Sequence, residues 1–205
     1  MGLTPCILSI ALALAPGPAP KPRLLVVVTI DQFRPDYLER YRAQLLGGLG
    51  RLLRGGAVFS EAFQDHALTE TAPGHATILS GRWPAHTGIV RNAAGVQDST
   101  APLIGVRGPG ASPARFRGTS FFDWLQAREP AARALSVSRK DRAAILVLGR
   151  ARQQVYWYDA GWFTTSRYYA DSLPAWVREF NALRLPFREA GASWPLLLPS
   201  SRERA

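Results

Sequence analysis

The chain has 205 residues, of which 47% are apolar and 20% charged, a balance of folded globular chains that excludes collagen-like, low-complexity and disulfide-dense classes. Its formal charge is +10, but the arginines that dominate it are scattered, with no run of five or more like charges, which argues against nucleic acid as a partner. Cys6 is the single cysteine, so no intramolecular disulfide and no cysteine cage for a metal can form.

In chain order, residues 1–20 read as a signal peptide: an apolar run over 6–15, then alanines and prolines, too short to span a bilayer. That reading places the chain in the periplasm or outside the cell and predicts no stable membrane insertion. Residues 24–30, Leu-Leu-Val-Val-Val-Thr-Ile, have the continuous β-branched pattern of a strand buried on both faces of a parallel sheet. The run ends on Asp31, where chemistry collects in open α/β sheets, although Asp serves equally well as a helix N-cap. Helices are predicted over 35–41 and 45–54, the second with Leu45, Leu46, Leu49, Leu52 and Leu53 at core spacing and Gly55-Gly56 as its stop. A second strand is predicted over 57–63, which with the first would make a right-handed parallel crossover.

Thr71 followed by Pro73 predicts a helix opening at Thr71 and running to about Ser80. Residues 105–118, rich in Gly, Pro and Ser, read as loop, 117–128 as helix and 134–137 as a short parallel strand. The runs 155–158 and 162–165, separated by Asp159-Ala160-Gly161, signal a hairpin. A helix over 172–183 turns Leu173, Trp176, Val177 and Phe180 inward.

Several chemistries are excluded by missing patterns. No G-x-S-x-G elbow, P-loop, dinucleotide fingerprint or H-E-x-x-H is present, and the three histidines, His66, His75 and His86, keep no metal-ligand spacing. What stands out is residues 69–92, TETAPGHATILSGRWPAHTGIVRN, together with Asp31 upstream and SRKDRAAIL over 138–146. In order and spacing these segments resemble the nucleophile region of the type I phosphodiesterase/nucleotide pyrophosphatase branch of the alkaline phosphatase superfamily. The last of them resembles the segment that marks bacterial alkaline phosphatases with a threonine nucleophile, and WYDAGWFTTSRYYADSLPAWVREFN over 157–181 extends the similarity.

The resemblance implies an α/β fold, a partial alkaline-phosphatase-like sandwich with a central, mostly parallel sheet. Residues 22–153 would form the amino-terminal part of the catalytic domain, and 154–205 the start of an inserted cap made of a hairpin and a helix. It implies zinc-dependent hydrolysis of phosphate monoesters, small-molecule substrates, through a phosphothreonine at Thr71. Thr71 and Asp31 would be ligands in a site for two zinc ions, and Asn92 would donate to a phosphoryl oxygen. Lys140 and Arg142, two residues apart and so on one face of an extended segment, would hold the extra charge that distinguishes a monoester from a diester. In a chain with only two lysines, Lys21 and Lys140, a lysine at this place is a point charge kept where arginine is otherwise preferred. After Asn92, where the family tends to carry an aromatic and an acidic residue, this sequence has Ala93-Ala94-Gly95.

The motif match assigns neither His75 nor His86 to the metal shell. Two zinc ions ~4 Å apart need about six protein ligands, and the family's later Asp and His ligands have no counterpart before Ala205. The expectation is a metal-poor amino-terminal fragment, inactive alone. Two rivals stay open: a nucleotide pyrophosphatase/phosphodiesterase of the same superfamily, and a non-catalytic anion-binding module.

Overall fold

The computed structural model describes residues 22–193 and divides the chain into two units, one ending at Arg34 and one beginning at Pro35. The predicted signal peptide and residues 194–205 of the predicted cap lie outside the described residues. No described helix is long and apolar enough to cross a membrane.

In the first unit, residues 24–30 run extended but form no ladder among the described residues. This corrects the predicted strand. Leu24 is 78% exposed and even Val27 is about half exposed. β-Branched residues fit a pleated, half-buried surface, but their stability in a strand comes from neighbouring strands. The run closes in a turn, with Phe33 N–H reaching the Ile30 carbonyl (3.4 Å) and Gln32 at φ 60°. Asp31 therefore does terminate the apolar run, as a turn residue.

The second unit opens with α1 (Tyr37–Arg40), a 3-10 turn (Arg42–Gln44) and α2 (Gly48–Gly55). The second of the predicted helices thus starts three residues late. Leu45 ends the 3-10 turn, and the backbone at Gly47 leaves helical space. Its leucines do not form a core: Leu46 and Leu52 are exposed, and only Gly50 is buried. The strand predicted over 57–63 is irregular and open, with Phe59 82% exposed. No crossover forms in this part of the chain.

The packed part follows. It comprises α3 (Thr71–Ile78), α4 (Pro84–Thr87), a 3-10 turn (Asn92–Ala94), α5 (Phe121–Arg128), β1 (Leu135–Ser138), α6 (Asp141–Leu146), β2 (Gln154–Asp159), β3 (Trp162–Thr164), α7 (Ala175–Ala182) and α8 (Leu185–Arg188). The class is α/β, with a sheet ordered β1-β2-β3. β1 and β2 pair in parallel, Leu135 opposite Gln154 through Ser138 opposite Trp157, with α6 between them in sequence. The predicted parallel crossover thus exists as β1-α6-β2 rather than in the first sixty residues.

β2 and β3 pair antiparallel, Trp157 opposite Thr164 and Asp159 opposite Trp162. The two-residue turn between them places Ala160 (φ 46°) and Gly161 (φ 96°) both in the left-handed region, which is what a tight hairpin demands of its central pair.

One face of the sheet makes the core. Val155 and Trp157 from β2 pack with Ala144, Ile145 and Leu146 from α6, Ala72 and Ala76 from α3, and Phe116 and Phe122 around α5. α5 is fixed at its start by a capping box: Ser120 N–H donates to Asp123 Oδ2 (2.7 Å), and the Ser120 hydroxyl lies 3.0 Å from the same oxygen and 3.1 Å from the Leu148 carbonyl. The other face carries α7, where Trp176 meets Tyr156 edge-on (5.0 Å) and Phe180 meets Phe163 (5.6 Å). Val177 is buried as predicted, whereas Trp176 and Phe180 keep nearly half of their surface open. Asn181 from α7 finishes the outer edge of β3. Its Oδ1 accepts Phe163 N–H and its Nδ2 donates to the Phe163 carbonyl, both at 2.8 Å, so a side-chain amide stands in for a neighbouring strand.

Candidate functional site

α3 begins at Thr71, as predicted, and Glu70 occupies the N-cap position in extended conformation. The first backbone N–H groups of a helix have no partner within it. Pro73 has no N–H to satisfy, and Gly74 N–H reaches the Glu70 carbonyl (3.1 Å). The Ala72 N–H, on a residue with no exposed surface, is satisfied from outside the helix: it donates to Asn92 Oδ1 at 2.8 Å. Only the oxygen end of an amide accepts, so this bond orients Asn92 and leaves Nδ2 as its donor end. The backbone N–H of Asn92 in turn donates to Glu70 Oε2 at 2.5 Å.

Lys140 reaches the same spot from the far side. It follows β1, sits at the N-cap of α6 with extended backbone, and its Nζ donates to Thr71 Oγ1 at 3.3 Å. α3 and α6 share the core through Ala72, Ala76, Ala144 and Ile145, which is why residues 69 apart in sequence meet. A cation beside a hydroxyl lowers the cost of its alkoxide form. Thr71, Asn92 and Lys140 are therefore brought together.

Arg142 differs from its prediction. It is the second residue of α6, so the extended segment assumed for the Lys140/Arg142 pair ends at Lys140. Its Nη1 pairs with Asp141 Oδ1 at 3.2 Å, and its Nε is buried without a hydrogen-bond partner in the described residues. Asp31 belongs to the first unit of the chain.

The histidines are engaged separately. Buried His75 donates from Nδ1 to the Thr71 carbonyl (2.9 Å), which fixes its tautomer because a carbonyl can only accept. His86 stacks on Trp83, and His66 lies 3.1 Å from Gln64 Oε1. Among the described residues no three His, Cys, Asp or Glu side chains converge on a common point. A zinc ion takes about four ligands, so these residues do not make up a zinc shell. Sequence reasoning overlooked Glu70. The signal was present, since a carboxylate directly before the candidate nucleophile of an anion site opposes the anion unless it has other work.

The loop after Asn92 is held by Asp98, whose carboxylate takes the Ser112 hydroxyl on one oxygen and the Thr100 N–H (3.0 Å) and hydroxyl (2.6 Å) on the other. These bonds, that of Ser112 first and those of Thr100 next, hold its carboxyl below the usual range.

The family model for type I phosphodiesterase / nucleotide pyrophosphatase matches residues 25–191. The chain is 38% identical over 147 residues to the alkaline phosphatase PhoK of Sphingomonas sp, covering 65% of this chain and 26% of that protein. It is 34% identical over 193 residues to the alkaline phosphatase PafA of Elizabethkingia meningoseptica, covering 86% and 35%. The crystal structure of wild-type PafA superposes with a TM-score of 0.76 at 33% identity, over 82% of this chain and 36% of that one. A second PafA structure, TM-score 0.76 at 31% identity over 83% of this chain and 36% of that one, is titled a variant in which one threonine, one asparagine, one lysine and one arginine are replaced. The chain thus spans about a quarter to a third of the length of the relatives it matches.

Proposed function

Because this chain belongs to the type I phosphodiesterase/nucleotide pyrophosphatase family, we propose that it carries the nucleophile and phosphate-contacting half of an alkaline-phosphatase-like phosphomonoesterase. The observation that carries the reading is the approach of Lys140 Nζ to Thr71 Oγ1 at 3.3 Å, with Asn92 pinned beside them. The threonine and asparagine replaced in the PafA variant, and its lysine and arginine, keep the same order and the same pairwise spacing as Thr71 and Asn92, and as Lys140 and Arg142.

In this reading Thr71 Oγ attacks phosphorus as the bond to the ester oxygen breaks, and the hydroxyl proton that Thr71 loses balances the one the leaving alkoxide takes up, releasing the alcohol. Water then attacks the phosphothreonine, breaking the Thr71 Oγ–P bond and releasing phosphate as Thr71 regains its hydroxyl proton. Asn92 Nδ2 donates to a non-bridging oxygen as charge builds there. Lys140 meets the additional charge of a monoester, and Arg142 contributes once its guanidinium leaves Asp141. Asp31 is a carboxylate donor toward zinc, but the described residues do not complete such a site and no step here runs through it. Residues 22–153 are the catalytic part and 154–205 the start of a cap in a periplasmic or secreted protein.

The alternative, a nucleotide diesterase, shares Thr71 and Asn92 but has no use for Lys140 on the nucleophile. The test uses the 205-residue chain. Inorganic phosphate binds to the wild type, and Lys140→Ala weakens that binding about tenfold, the loss of one charge-assisted hydrogen bond. A chromogenic phosphate monoester supplied with zinc is not turned over, since these residues do not complete a metal shell. Unchanged phosphate affinity in the Lys140 variant would overturn the monoester reading, and turnover abolished by Thr71→Ala would overturn the inactivity of the chain alone.

A further inference from the structure

The helix that presents Thr71 is capped in an unusual manner. A residue at the N-cap position ordinarily turns its own side chain back onto the second or third N–H of the helix. Glu70 does not: it makes no cap bond to α3 and instead grips the backbone N–H of Asn92, 22 residues away, at 2.5 Å. Asn92 then supplies the missing cap, its Oδ1 accepting the Ala72 N–H at 2.8 Å. Because residue 73 is proline and Gly74 is satisfied by the Glu70 carbonyl, the Ala72 N–H is the one donor of this turn that a local N-cap side chain would compete for.

The turn that carries Asn92 has no polar side chain of its own to hold it, being followed by Ala93, Ala94 and Gly95. Gly95 lies so close to the helix that a Cβ there would meet the Ala72 Cβ at 3.2 Å. The seat is thus built for close approach, and among the described residues its side-chain fastening is the pair of bonds to Glu70 and Ala72. A carboxylate beside an anion site repels the anion, so its retention has to serve geometry rather than charge.

We propose that Glu70 is a positioning residue: by declining to cap its own helix and holding the Asn92 backbone, it makes Asn92 the cap of α3 and so fixes the amide beside Thr71. The function assigned to Asn92 rests on the phosphomonoesterase reading above, whereas the clasp itself does not.

The experiment is amide hydrogen exchange by NMR on the full chain, with inorganic phosphate titration alongside. The Ala72 N–H is the reporter, because among the described residues its bond is to the side chain of Asn92 and Glu70 makes no side-chain cap bond to it. Glu70→Gln keeps an acceptor oxygen and is expected to leave Ala72 protected. Glu70→Ser introduces a local cap of the preferred kind: α3 stays folded, Asn92 N–H loses its protection by about tenfold or more, and phosphate affinity falls by a similar factor. Glu70→Ala is expected to lose the protection of both amides.

Unchanged exchange at Ala72 and Asn92 in Glu70→Ala would overturn the clasp. Protection of the Asn92 N–H lost in the Ser and Ala variants with phosphate affinity unaltered would overturn the positioning role. Absence of phosphate binding in the wild type would count against the phosphomonoesterase reading alone, while the exchange data would still decide the clasp.

Discussion

Residues 35–70 and residues 71–166 have comparable shares of apolar side chains, yet they end in opposite environments. The first stretch holds Leu46, Leu52, Val58, Phe59 and Phe63 in the open. The second buries Ile89, Phe116, Ile145, Val155 and Trp157 almost completely. Local pattern does not separate them, since 45–54 has better leucine periodicity than α3 or α6. What differs is the presence of facing surfaces: α3, α5, α6 and β2 each cover another in one buried core, whereas no residue of α2 or of 57–63 belongs to that core. An amphipathic face is stabilised by what it is packed against and only weakly by its own propensity.

That contrast can be broken most sharply at Trp157. Replacing Trp157, 1% exposed, by Ala is expected to cost about 3–5 kcal/mol, whereas Phe59→Ala, at 82% exposure, should stay within roughly 0.5 kcal/mol. Urea midpoints of the two variants measure the difference, and equal losses would show that 57–63 packs in solution.

A smaller effect concerns the loop between the two halves of the site. The Asp98 carboxyl is held below its ordinary value by Ser112 and Thr100, so its contribution to stability is present above the ordinary aspartate range and is lost as the pH falls through and below that range. Melting temperatures of the wild type and Asp98→Asn, followed from about pH 6 to about pH 2, should converge in acid. A gap that persists at the acid end would assign the loop's stability to other bonds.

The smallest effect is kinetic. Backbone amides of 24–30 should exchange within the dead time of a hydrogen-exchange experiment, because they form no ladder, while those of 155–157 persist. Slow exchange at 26–28 would reveal strand pairing for this run.

Much of the site was legible as letters in order. Thr71 before Pro73 announced the helix and its first residue, and Lys140 stood out because arginine was the chain's habit. The hairpin around Asp159-Ala160-Gly161 was legible from turn chemistry, and the helix after it from spacing. Other parts were not. The lysine-arginine pair was read as one extended face, but helix α6 begins between the two and gives Arg142 to Asp141. Glu70 was invisible as a partner of Asn92 because nothing local records a bond across 22 residues.

By itself, then, the amino-acid order determined the helix start at Thr71 and the hairpin, which rest on interactions within a few positions of one another, while the α/β class and the candidate site residues were legible through motifs that resemble a known family. Only the tertiary structure decided which apolar runs are buried, which pair of strands makes the crossover, and which side chain caps α3. Those outcomes depend on surfaces and hydrogen-bond partners that meet only after the chain has folded back on itself.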